Sequence, residues 1–171
     1  VQQELIAKVN PENKQGTFDD AVKGADVLIG CSAPGVFNVE AIKTMNDKSI
    51  VFAMANPVPE IMYEEAKEKG VYIYGSGRSD MPNQVNNSSV FPGLFRGALD
   101  VRARQINEEM KLAAAHALAD LAIHSGKLDP DHVVVDVFDP QVPFAVAKAV
   151  AKAAIASGVA RATELPEKYR D

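Results

Sequence analysis

Three short apolar runs, ADVLIGC over 25–31, SIVFAMA over 49–55 and VYIY over 71–74, each stop at a cluster of small, polar or proline residues. This punctuation constrains the fold more than any other feature of the chain. Continuous apolar runs of this length suit strands buried on both faces. Pro57 and Pro59 forbid continuation of the second run as a central strand. Between the runs lie NVEAIKTM over 38–45, where Asn38 can cap a short helix, and the Glu- and Lys-rich stretch 62–69, an exposed helix that stops at Gly70. Strand, helix, strand, helix, strand across short connections predicts parallel pairing in an α/β sheet, part of a Rossmann-like doubly wound fold with strands near 26–31, 49–55 and 71–75.

Sheets of this kind bind ligands beyond the carboxyl ends of their strands. The loops there are Cys31-Ser32-Ala33-Pro34-Gly35, Asn56-Pro57 and Gly75-Ser76-Gly77-Arg78, and the pattern places all three on one edge. Beyond Gly75 the chain changes character. Residues 79–87 are polar and irregular, 88–102 and 107–124 read as helices, and FAVAKAVAKAAIAS over 144–157 is an Ala-rich helix ending at Gly158. Asn107 is the N-cap of its helix, Glu108 and Glu109 suit the positive dipole end, and Met110, Ala113, Ala114, Ala117, Leu118 and Leu121 form an apolar stripe. The segment VVVDVF within 131–138 reads as a strand or an extended stretch, and the charged tail 160–171 as loosely held.

Composition narrows the function classes. The 171 residues carry 18 Lys+Arg against 23 Asp+Glu, a net charge of −5 with no basic run, which argues against nucleic acid as a partner. No apolar run approaches the ~20 residues that span a bilayer, and the first residues lack the pattern of a secretory signal, so the expected setting is cytoplasmic and away from membranes. Cys31 is the single cysteine, which leaves no disulfide framework or thiolate zinc site. It reads as a buried strand residue.

Several constellations can carry chemistry. Asn56 follows a strand directly, where its amide can bind a sugar hydroxyl or a carboxylate, or simply turn the chain before proline. Residues 83–87 hold three asparagines and one glutamine, more than one helix cap requires, ahead of a helix whose free N–H groups suit a carboxylate or phosphate. Ser32 and Ala33 lie in a small-residue loop that lets a ligand approach the backbone. His116, His124 and His132 lack metal-ligand spacing, and Asp129, Asp131, Asp136 and Asp139 read as turn and capping residues. Tyr63, Tyr72, Tyr74 and Tyr169 offer no paired base that would mark any of them as a proton donor.

The segments ADVLIGCSAPGVF, VFAMANPVPE, GSGRSDMPNQVNNSSVFPGLFRGALDVRA and INEEMKLAAAHALA together resemble the NAD(P)-binding domain of bacterial-type malic enzymes, from about Pro11 to at least Leu121. That resemblance implies oxidative decarboxylation of L-malate to pyruvate and carbon dioxide with NAD or NADP as hydride acceptor. A divalent Mg2+ or Mn2+ ion would assist as a Lewis acid. It further implies Asn56 and Asn87 as substrate-binding residues, Ser32, Ala33, Asn56 and Asn86 as cofactor-binding residues, and a homo-oligomer of two or more subunits. The family's catalytic tyrosine and lysine, its acidic metal ligands and its GxGxxG turn precede the resembling region, and GxGxxG is absent here. Residues 1–171 therefore correspond to the C-terminal portion of the NAD(P)-binding domain. No catalytic or metal residue is assigned within them. Malolactic enzymes, which turn malate into lactate, are the alternative of the same kind. A non-catalytic dinucleotide-binding or interface module, to which the Ala-rich helix would be suited, is the alternative of another kind.

Overall fold

A computed structural model of the chain describes residues 8–170. Helix α1 (Phe18–Val22) is closed at its start by a reciprocal cap, in which Asp20 accepts from the Thr17 N–H at 2.8 Å while Thr17 Oγ1 accepts from the Asp20 N–H. Strand β1 (Val27–Gly30), α2 (Val39–Ile42), β2 (Ile50–Ala53), α3 (Tyr63–Glu68) and β3 (Ile73–Ser76) follow in alternation. The strands lie in the order β1-β2-β3, and both pairings are parallel. The α/β sheet expected from the apolar runs is therefore present, with Asn38 capping α2 by accepting from the Glu40 N–H at 3.2 Å.

Register decides what each face does. Leu28, Val51 and Tyr74 stand abreast, as do Val27, Ile50 and Ile73, and alternation along a strand sends these two rows to opposite faces. Val51 and Tyr74 are fully buried against Phe37, Ile42, Ile61 and Ala66. On the opposite face the expectation of strands buried on both sides fails for β1, where Val27 is 49% and Ile29 64% exposed. β1 and β3 both lie at edges of these three strands, and an apolar run read from sequence cannot show whether both sheet faces are covered.

The remaining chain is a helical layer of α4 (Phe91–Asp100), α5 (Glu108–His124) and α6 (Gln141–Ala156). Its core holds Leu94, Val101, Met110, Ala114, Val142, Val146 and Val150. Each large side chain buried there contributes about 1.5–3 kcal/mol. Asn107 caps α5 as read from sequence, accepting from the Met110 N–H at 3.1 Å, and its amide also donates to Ser157 Oγ at 2.9 Å. The Ala-rich helix α6 begins before Phe144, with Pro143 tolerated in its first turn, and buries its apolar stripe within the chain. VVVDVF forms neither a strand nor a regular extended stretch: it bends at 133–134 and turns at 137–138, where the Phe138 N–H donates to Asp136. The tail is not loose: Tyr169 is buried, its hydroxyl donates to Asp100 at 2.7 Å, and Lys168 meets the same carboxylate at 2.6 Å. The buried tyrosine, with Ala162 and Leu165 packed against the same core, anchors this charged stretch, a detail that net polarity hides.

Helices α4 and α6 approach closely at Gly93 and Gly97. A Cβ on Gly97 would stand 2.4 Å from the Ala147 carbonyl oxygen and 3.0 Å from Val150 Cβ. Gly97→Ala gains about 1 kcal/mol of helix propensity. The overlap with rigid helix backbone costs about 1–3 kcal/mol. The variant is expected to lose about 1 kcal/mol net, read as a lower urea midpoint at constant slope. A midpoint equal to or above that of the parent protein would contradict the close approach.

Candidate functional site at the carboxyl edge of the sheet

Parallel pairing brings the ends of β1, β2 and β3 to one edge, and buried polar side chains fasten the loops there. The central fastener is Glu60, 1% exposed, which sequence reading passed over. Its Oε1 accepts from the Ser32 N–H at 2.7 Å and from Ser32 Oγ at 3.0 Å, while Oε2 accepts from the Ala55 N–H at 2.9 Å. One carboxylate thus ties the loop after β1 to the loop after β2. Burial pushes the Glu60 carboxyl up, but the hydrogen bonds from Ala55 and Ser32 outweigh it and hold the group below the usual carboxylate range. Glycine at position 30 makes the room, since a Cβ there would lie 2.5 Å from the Phe37 ring and 2.7 Å from Glu60 Cδ.

The third loop is organised by Asn83, which is 5% exposed. Its amide nitrogen donates to the Tyr74 and Pro130 carbonyls, each at 2.9 Å, and its oxygen accepts from the Val133 N–H at 2.7 Å. Ser76 pairs with Gln84 beyond the end of β3, and the Val85 N–H donates to the Ser76 carbonyl at 2.7 Å. These bonds carry the chain into a short 3-10 turn, Asn87–Ser89, ahead of α4. Asn86 caps that turn by accepting from the Ser88 N–H at 2.9 Å.

The sequence-derived site residues fall into distinct situations. Ser32, Ala33, Asn56, Asn86 and Asn87 are all exposed, each on a segment leading from a strand's carboxyl end. Ser32 is held by Glu60, and the Asn86 side chain is engaged as a cap. Asn56 and Asn87 make no side-chain hydrogen bond among the described residues, so their amides are free to meet a ligand. Asn83, grouped with them by sequence, is scaffold.

Other readings change. Cys31 is exposed, contrary to the expected buried strand position, because β1 ends one residue earlier at Gly30. Tyr63 does have an acidic partner: its hydroxyl donates to Asp131 at 3.2 Å, and Lys67 pairs with the same residue at 3.0 Å. Burial first, then the Asp131 charge, raises the Tyr63 pKa, so this tyrosine keeps its proton and links α3 to the segment before α6. The acidic cluster performs turn work as read, with Asp129, Asp136 and Asp139 accepting from the N–H groups of Asp131, Phe138 and Gln141 at 2.8–2.9 Å. Among the described residues no group of three or more His, Cys, Asp or Glu is gathered to hold a metal ion, and no helix is long and apolar enough to cross a membrane. A groove of about 640 Å3 between α5 and α6 is lined chiefly by Ala113, Ala117, Leu121, Ala149 and Ala153 and shares no residue with the strand-end loops.

A parallel α/β sheet that presents a small-residue loop and free amides at its carboxyl edge defines a nucleotide-binding type of domain. The chain belongs to the family described as malic enzyme, NAD binding domain, whose model matches residues 2–155. It is 52% identical over its whole length to the bifunctional malic/malolactic enzyme of Bacillus subtilis, covering 42% of that protein. To the NAD-dependent malic enzyme of Geobacillus stearothermophilus it is 51% identical, over 96% of this chain and 34% of that one. Among solved structures, the malic enzyme of Entamoeba histolytica superposes with a TM-score of 0.88 at 49% identity, over 94% of this chain and 33% of that chain. The chain therefore spans well under half the length of these relatives.

Proposed function

We propose that this chain serves in an NAD(P)-dependent malic enzyme that oxidises L-malate and releases carbon dioxide to leave pyruvate. The observation that carries this reading is the family match across residues 2–155, supported by identities above 50% to proteins named as malic enzymes. The exposed strand-end loops fit a dinucleotide, since Ser32 Oγ and the free amides of Asn56 and Asn87 offer the acceptors and donors that ribose and carboxylate groups need. In this reading Ser32, Ala33, Asn56 and Asn86 bind the cofactor, while Asn56 and Asn87 fix malate so that its C2 hydride faces the nicotinamide. NAD(P)+ accepts that hydride when bound, and a divalent ion, held by residues outside this chain, supplies Lewis-acid stabilisation. The acid–base groups are likewise assigned outside these 171 residues, which form the C-terminal portion of the NAD(P)-binding domain. Relatives of both cofactor preferences occur, NAD-dependent in Geobacillus and NADP-dependent in Escherichia coli, so neither cofactor is singled out. A homo-oligomer in the cytoplasm completes the proposal, in keeping with the acidic composition and single cysteine.

The test is malate-dependent reduction of NAD+ and NADP+ with Mn2+. The full-length enzyme is expected to turn over, and the 171-residue polypeptide alone is not. Turnover by the polypeptide alone would place the acid–base groups within it. Failure of the full-length enzyme to reduce either cofactor would remove the reading. A second reading, malolactic conversion, is favoured by the Bacillus subtilis relative's bifunctional name, and lactate as the sole product would establish it.

A further inference from the structure

Ser32 offers a ligand one N–H and one hydroxyl, and both face the same buried oxygen. The N–H lies 2.7 Å and Oγ 3.0 Å from Glu60 Oε1. An ionised carboxylate only accepts, so the single hydroxyl proton must point at Glu60. What Ser32 presents outward is then a pair of oxygen lone pairs. A phosphate oxygen is also an acceptor and finds no donor on Ser32. The buried carboxylate beneath, poorly screened by solvent, further disfavours an anion at this loop. A sugar hydroxyl has the proton that Ser32 Oγ lacks.

We propose, on the dinucleotide reading above, that Glu60 is a positioning residue that fixes Ser32 as a hydrogen-bond acceptor, so that Ser32 receives a ribose hydroxyl of the cofactor and not a phosphate oxygen. Two features built into the chain support it. Gly30 leaves space for the Glu60 carboxylate that no larger residue would leave, and the bond from the Ala55 N–H at 2.9 Å fixes the second carboxylate oxygen, so the first cannot swing away from Ser32. The same carboxylate sets the backbone one residue before Asn56, which joins the two cofactor-facing loops in one register.

The experiment uses the full-length enzyme, with Ser32→Ala, Ser32→Thr and Glu60→Gln compared with the parent protein. Readouts are the KM for NAD(P)+, the KM for malate, kcat, and competitive inhibition by inorganic pyrophosphate. Ser32→Ala removes the outward acceptor but keeps the backbone bond to Glu60. It is expected to raise the cofactor KM about ten-fold, the worth of one hydrogen bond, and to change the malate KM and pyrophosphate inhibition far less. Ser32→Thr keeps the hydroxyl and is expected to recover most of the cofactor affinity that Ser32→Ala loses. Glu60→Gln turns a donor toward either Ser32 or Ala55 and is expected to weaken the cofactor as well. Because Ser32 is exposed, its variants decide the matter even where Glu60→Gln fails to fold. An unchanged cofactor KM in Ser32→Ala, an equal loss of pyrophosphate inhibition, or tighter cofactor binding in Glu60→Gln would each overturn the proposal. A parent enzyme that turns over malate while these variants behave identically to it sinks this inference alone; a parent that reduces neither cofactor removes the functional reading and this inference together.

Discussion

Asn83→Ala is expected to lower stability by about 3–4 kcal/mol. The truncation leaves the Val133 N–H and the carbonyls of Tyr74 and Pro130 without the partners they have at 2.7–2.9 Å. Unsatisfied buried groups of this kind cost about 1–3 kcal/mol together with the lost bonds. The backbone adds to this, since Asn83 sits at φ 52, in the left-handed region that asparagine tolerates and alanine resists by about 1 kcal/mol. Asn83→Gly relieves only the backbone part and should recover about 1 kcal/mol relative to alanine. Urea denaturation of the three proteins checks both steps. A loss below about 1 kcal/mol in the alanine variant would mean that the segment 130–134 finds other partners.

Asn83 also shows where sequence reading reaches its limit. The sheet was legible because its causes are local: apolar runs, the Pro57 and Pro59 stops, and Asn38 and Asn107 at helix starts all act within a few residues of themselves. The placing of the three loops on one edge was legible for a related reason, since parallel strands run to a common edge. The division of labour among Asn83, Asn86 and Asn87 was not. Asn83 is committed to residues 47–51 positions away, which composition cannot reveal. Glu60 was hidden in the same way, its partner Ser32 lying 28 residues earlier, although a lone carboxylate between Pro59 and Ile61 was a signal that an apolar stretch needed a charge for some purpose. The pairing of Tyr63 with Asp131, 68 residues apart, overturned the reading of tyrosines without partners on the same ground. Exposure of Val27 and Ile29 is a tertiary property too, because it depends on what lies over the sheet and not on the strand itself.

Those committed side chains make the uncommitted ones informative. Asn87 is exposed at the first position of the 3-10 turn and makes no side-chain hydrogen bond among the described residues, so Asn87→Ala should change stability by no more than about 0.5 kcal/mol. In the full-length enzyme the same change is expected to lower kcat/KM for malate about 100-fold, because an amide that orients substrate acts on alignment at the reacting carbon and a small misplacement there is costly. Asn56→Ala should behave alike and raise the cofactor KM as well, since Asn56 is assigned to both ligands. Asn86→Ala offers the contrast: it removes the acceptor for the Ser88 N–H and is expected to cost about 1 kcal/mol of stability, with a smaller effect on malate. The three variants thus separate orientation from scaffolding on one short segment and its neighbour loop. If Asn87→Ala kept full catalytic efficiency, the free amide would be an ordinary surface residue, and the carboxylate of malate would have to be held from the other loops of this edge.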